Sequence, residues 1–135
     1  MITKCIFEFQ KNKTVLKMLE KKILVGYTGF VGSNLVEQTQ FDALYNSSNI
    51  QNSFGTSPDL LIFSGVRAEK FLANNQPEID FEIIKEAIEN IKKINPKQIV
   101  LISTVDVYPN PVDVDENYLI DNSQSQAYGK NRHYL

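Results

Sequence analysis

Three uninterrupted apolar runs constrain this chain more than any other feature: ILV ahead of Gly26, LLIF at 60–63 and IVLI at 99–102. A strand with one wet face alternates apolar and polar residues, whereas a continuous run is covered on both faces, the habit of parallel sheets. Between the runs the period changes. SNLVEQTQ follows the first as a helix with Ser33 or the preceding loop near its start, FDALYN reads as another strand, and EIDFEIIKEAIENIKKI sets Ile79, Ile83, Ile84, Ala87, Ile88 and Ile91 in one stripe opposite Glu82, Lys85, Glu86, Glu89 and Lys93. Pro77 opens that helix and Asn95-Pro96 stops it. After IVLI, the segment SQSQAYGKNRHYL starts a last helix, with Ser123 and Gln126 at capping-box spacing.

Apolar strands alternating with helices predict a Rossmann-like, doubly wound, mostly parallel sheet with helices on both faces. Ligand is expected beyond the carboxyl ends of the strands. Two departures are visible. Only the fourteen residues Asn46–Asp59, with Gly55 and Pro58 among them, join the second strand to the third strong one, too few for a helix and another strand. The second crossover is therefore shortened, and any strand around Asn49–Asn52 is a stub. The last strong strand has no successor, and IVLIS on a bare edge would invite aggregation. The expectation is a truncated domain of four to five strands, with sequence that would normally follow Leu135 absent.

The division expected is residues 1–21 as an amino-terminal extension and 22–135 as the dinucleotide-binding domain, without a carboxyl-terminal substrate lobe. In the extension, Lys4–Phe9 reads as a short strand and Thr14–Lys21 as a helical turn or two, with Met18 as an alternative start. The single cysteine, Cys5, excludes an internal disulfide and cannot build a metal cage, which points to a reducing cytoplasm and to no metal site. No apolar run reaches membrane-spanning length, so no membrane partner is expected. A net charge of −2 argues against a nucleic-acid partner, with Lys92, Lys93 and Lys97 read as a solvated helix end.

The stretch ILVGYTGFVGS holds Gly26, Gly29 and Gly32 between a buried strand and a helix. One glycine permits a tight turn, one lets backbone approach a pyrophosphate, and one packs helix against strand, while the helix mouth offers free N–H groups and a partial positive charge. The candidate cofactor contacts here are Gly26, Thr28, Gly29, Phe30, Val31 and Gly32, joined at later strand ends by Asn46, Ser64, Gly65 and Ser103. No acidic residue stands near Tyr45–Asn49 to bind an adenosine ribose, and no lysine or arginine lies between Lys22 and Arg67 to bind a 2′-phosphate. NAD and NADP both remain open.

With Gly26-x-x-Gly29-x-x-Gly32, the strand Asp59–Gly65, the run Ser103-Thr104-Val105-Asp106-Val107-Tyr108 and Tyr128-Gly129 in this order, residues 22–135 resemble the extended short-chain dehydrogenase/reductase family. Its members are NAD-dependent epimerases and dehydratases of nucleotide sugars. The resemblance implies a nucleotide-sugar substrate, Thr104 as hydrogen-bond partner of the reacting hydroxyl and Tyr128 as base. Where the family has a lysine that holds the nicotinamide ribose, this chain has Arg132. Lys130 points about 200° away on a helix, whereas Arg132 shares the tyrosine's face. The catalytic set is therefore Thr104, Tyr128 and Arg132, with charge kept at Arg132 but its shape changed. Val105 stands where related dehydratases have the first acid, which makes epimerase or reductase chemistry the better match. The family also implies a homodimer through helix 79–94. A non-catalytic dinucleotide-binding module for regulation or assembly is the alternative, and His133, with no partner at useful spacing, reads as a surface imidazole.

Overall fold

The computed structural model describes residues 21–135, so the expectations for Lys4–Phe9, Cys5, Thr14 and Met18 lie outside it. The chain divides into two compact units, one comprising the chain up to Val66 with Glu89–Ile102, the other Arg67–Ile88 with Ser103–Leu135.

The first unit is built on a four-stranded parallel sheet. Its strands are β1 (Lys22–Val25), β2 (Ala43–Tyr45), β3 (Leu60–Phe63) and β4 (Gln98–Leu101), in the order β2-β1-β3-β4. Ile23 lies opposite both Ala43 and Leu61, and Leu61 opposite Ile99. The two central strands contribute Ile23, Leu24, Val25 and all of Leu60–Phe63 to the core. Their unbroken apolar character follows from that position, because neither face meets water. Helix α1 (Phe30–Gln38) connects β1 to β2, and its Leu35 packs with Tyr27, Phe41 and Leu44 on the cluster Leu24, Leu60 and Ile62. The chain steps from β1 to β2, returns past β1 to β3, then continues to β4. The order of strands thus reverses between β1 and β3, which makes this a Rossmann-like α/β sheet.

No strand stub forms in the short second crossover. Residues Ile50–Ser53 make a 3-10 turn instead, in which the Ser53 hydroxyl donates to the Ile50 carbonyl. Gly55, at φ 72°, then turns the chain so that its N–H and that of Ser57 donate to the carbonyls of Lys93 and Ile94, at 2.7 and 3.1 Å. Those carbonyls end the long helix α3 (Pro77–Ile94), whose last turn has no intrahelical donors left for them. Asn95, at φ 55°, closes α3 in the left-handed conformation ahead of Pro96.

The second unit contains α2 (Lys70–Asn75), the first turns of α3, 3-10 turns at Val105–Val107 and Asn122–Gln124, and α4 (Ala127–Tyr134). Helix α2 was not expected from the sequence. The predicted capping box at Ser123 is also replaced. Asp121 caps Ser123 N–H at 2.9 Å and makes a separate 3-10 turn there, so α4 starts only after Gln126. Asp115, in the loop after Pro111, accepts the Tyr108 hydroxyl at its carbonyl, and the Tyr108 and Tyr118 rings meet edge to face at 5.8 Å. No helix among the described residues is long and apolar enough to cross a membrane.

Candidate functional site

In the first unit the sequence candidates gather at the carboxyl ends of the strands. Gly26 ends β1 at φ 91°, a conformation that costs a side-chain-bearing residue energy, and its N–H donates to the Tyr45 carbonyl at 2.7 Å. The Ser64 N–H donates in turn to Val25, at 2.8 Å. A methyl group on Gly26 would strike the Ser64 carbonyl, and one on Gly32 would strike the carbonyl of Gly26. Backbone therefore passes over backbone at this turn, which only glycine permits.

The turn delivers the chain into α1 with Gly29 as N-cap, one residue before Phe30, so the helix starts in the loop ahead of Ser33, the second of the two starts expected. No side chain caps this helix, and no acidic residue lies in its first turn. The early N–H groups of an α-helix lack internal acceptors, so this mouth offers donors and a partial positive charge to an anion. Thr28, Gly29 and Phe30 are exposed, and Val31 partly so. A dinucleotide's pyrophosphate fits this set, because the glycines leave room for it and the first-turn N–H groups after Gly29 lack intrahelical acceptors, although the Gly29 N–H itself donates to the Gly26 carbonyl at 3.1 Å. Beyond β2, Asn46 is turned inward: its Oδ1 accepts from the N–H and hydroxyl of Ser48, at 2.9 and 2.6 Å, while its own N–H donates to Asn49 Oδ1. That loop shows no charge toward an adenosine ribose. Ser64 and Gly65 complete the group after β3.

The second unit carries the other candidates. Ser103 and Thr104, both partly buried, precede the 3-10 turn, and Thr104 is its N-cap. The Thr104 hydroxyl accepts from the Asp106 N–H at 3.2 Å and donates to Asp106 Oδ2 at 3.2 Å. A hydroxyl oxygen has two lone pairs, so one remains to accept from a ligand. Asp106 Oδ1 accepts from Lys70 Nζ at 2.8 Å. Tyr128, on α4, is buried, its N–H held by Asn74 Oδ1 of α2 at 3.0 Å.

Arg132 does share the tyrosine's face, its guanidinium carbon 3.8 Å from the ring centroid. Its donors, however, point elsewhere. Nη1 lies 3.0 and 2.8 Å from the two carboxylate oxygens of Asp80, and Nη2 donates to Asp80 at 3.0 Å and to the Arg67 carbonyl at 2.7 Å. Asn131 adds a hydrogen bond to Asp80 at 2.8 Å. The side chains of Arg132 and Asp80 are 5% and 3% exposed, so this is a buried and neutralised pair. Its charge is matched within the fold, whereas the sequence reading left it facing the tyrosine. Lys130 is exposed, as its position around the helix predicts.

Sequence reasoning missed Asp80 and Lys70. Asp80 had a signal: it lies four residues before Ile84 and seven before Ala87, on the buried stripe of α3, where a lone carboxylate needs a partner. Lys70 had none, since its place depends on a helix that the sequence does not announce. His133 is exposed and its Nδ1 lies 3.0 Å from Asn122 Oδ1.

An open parallel sheet whose first strand runs through a glycine turn into a helix defines the Rossmann-like class of α/β folds. Solved structures agree. A hypothetical dTDP-4-dehydrorhamnose reductase from Sulfolobus tokodaii superposes with a TM-score of 0.57 at 18% identity, over 84% of this chain and 49% of that one. RMD from Pseudomonas aeruginosa, complexed with NADPH, superposes with a TM-score of 0.62 at 16% identity, over 84% of this chain and 46% of that one. The chain thus spans about half the length of these structures, and at such identities the likeness is one of fold. No protein-family model matches the sequence, and neither does any curated protein.

Proposed function

We propose that this chain is the NAD(P)-binding domain of a nucleotide-sugar oxidoreductase of the epimerase, dehydratase or reductase type. The observation that carries the reading is the uncapped mouth of α1 behind the backbone crossing of Gly26 and Gly32. The two solved structures support it, one described as a reductase of a nucleotide sugar and the other bound to NADPH. The bound dinucleotide supplies the hydride acceptor or donor. Tyr128 would exchange a proton with the substrate hydroxyl, and Thr104 would donate a hydrogen bond to the same substrate oxygen by turning its O–H away from Asp106. Because the chain spans about half of the structures it resembles, these 135 residues alone are expected to bind the dinucleotide with little or no turnover.

Gly29→Asp tests the reading without breaking the fold. Gly29 has an ordinary φ of −78°, and an added Cβ would lie 3.5 Å from its nearest neighbour, the Gly26 carbonyl. Aspartate is also a favourable N-cap. The variant should therefore melt at or slightly above the wild-type temperature, while its carboxylate occupies the anion position and weakens NADH or NADPH binding by more than tenfold in calorimetry. Unchanged binding would refute the assignment. A non-catalytic binding module is the second reading, favoured by one observation: the cation at the position of the family lysine is already neutralised by Asp80.

A further inference from the structure

We propose that Asn74 is a positioning residue for Tyr128: from α2 it caps the first turn of α4 and so fixes where the phenol stands. The inference rests on the reading above, in which Tyr128 exchanges a proton with substrate, and deepens it. Helix α4 starts without a cap of its own. Its N-cap is Gln126, outside the short polar set that caps well, and the glutamine side chain makes no capping bond. A good N-cap accepts from the second or third helical N–H, and the second residue of α4 is Tyr128. Asn74, fifty-four positions earlier, supplies that acceptor through Oδ1 at 3.0 Å. Its Nδ2 donates to Gln126 Oε1, also at 3.0 Å, so both ends of the amide are spent on the start of α4.

The rest of α4 shows why this contact matters. Later in the helix, Asn131 donates to the Pro77 carbonyl at 3.1 Å and Arg132 pairs with Asp80, so the carboxyl-terminal turn is fixed on α3. Asn74 holds the first turn. That turn has no slack, because Gly129 passes so near the Asp106 carbonyl that an added Cβ would strike it. Tyr128 is buried, its ring centroid 3.8 Å from the Arg132 guanidinium carbon, so a shift of its backbone moves the ring against its neighbours. Helix α2 is anchored in its turn. Lys70, one turn before Asn74 and on the same face, grips Asp106, which takes the Thr104 hydroxyl on its other oxygen. One face of α2 thus touches both segments that carry the proposed reacting hydroxyls, while Asn74 stays exposed enough to be replaced without opening the core.

The test reads the ring by fluorine NMR on the full chain carrying fluorotyrosine, with the Tyr128 resonance identified by its loss in Tyr128→Phe. Asn74→Leu keeps the volume and removes both bonds. It should lower the melting temperature by about 2–8 °C, the cost of a lost cap, and move or split that resonance. Asn74→Asp keeps the acceptor, at a helix mouth that favours a carboxylate, and should restore both. Spectra are taken well below either melting midpoint, where lost stability alone moves no resonance. A Tyr128 resonance unmoved in Asn74→Leu, or moved as far in Asn74→Asp as in Asn74→Leu, overturns the inference whatever the melting temperatures. Neither readout needs dinucleotide or turnover, so such a result strikes Asn74 and leaves the NAD(P)-domain reading standing. A wild type that binds neither NADH nor NADPH in calorimetry strikes that reading instead, and with it the reacting role toward which Asn74 positions Tyr128.

Discussion

Replacing Arg132 with methionine removes the guanidinium but leaves most of the side-chain volume, and the consequence can be worked from the contacts of its partner. Asp80 would retain only the Asn131 amide, at 2.8 Å, in a site where its side chain is 3% exposed. The Arg67 carbonyl would lose its donor as well. Breaking a buried pair from one side costs about 3–5 kcal/mol, because the remaining charge is uncompensated. In a chain of this length that corresponds to a fall of about 10–15 °C in melting temperature. Thermal unfolding followed by circular dichroism at 222 nm measures it. The double variant Asp80→Leu/Arg132→Met should be far milder than the single one, since an apolar pair of similar volume often replaces a buried ion pair at no net cost. Arg132→Lys should fall between them, as one ammonium cannot serve both carboxylate oxygens and the Arg67 carbonyl. A fall of less than about 3 °C in Arg132→Met, or a double variant as unstable as the single, would refute the reasoning that Asp80 is buried with Arg132 as its neutralising partner.

Two further outcomes follow from contacts elsewhere. The Asp59 carboxyl lies below the usual carboxylate range, chiefly because Lys97 hydrogen-bonds it and also because the Lys21 N–H does, with partial burial opposing both. A lowered folded value means that Asp59 contributes stability above the unfolded value of about 4, and that this is lost as pH falls through the folded value. Asp59→Asn should therefore flatten the loss of stability below about pH 4, as measured by acid titration of the melting temperature. Gly129→Ala would drive a methyl group into the Asp106 carbonyl, so it should separate α4 from the Val105–Val107 turn and cost about 1–3 kcal/mol in denaturant unfolding.

The sheet was legible because burial on both faces leaves a direct mark on composition: LLIF has no polar residue because no face of β3 is wet. Helix α3 was legible from its stripe, and its end from Asn95-Pro96. What escaped was decided by contacts distant in sequence or by competing short-range hydrogen bonds. Ile50–Ser53 became a 3-10 turn where a strand was expected, since Asn49, Ser53 and Thr56 bond locally and Gly55 meets the end of α3. The shared face of Tyr128 and Arg132 followed from helical period. That Asp80, fifty-two positions earlier, would take up the guanidinium did not. An acid on an apolar stripe announces that a partner exists without saying which.

The fork between Asp80 and Arg132 also limits how this sequence can change. A change to lysine at position 132 would leave the acid in the interior poorly matched, so that step is uphill unless position 80 is neutralised as well. The two positions should therefore vary together, a buried cation at 132 persisting only where the acid on α3 persists.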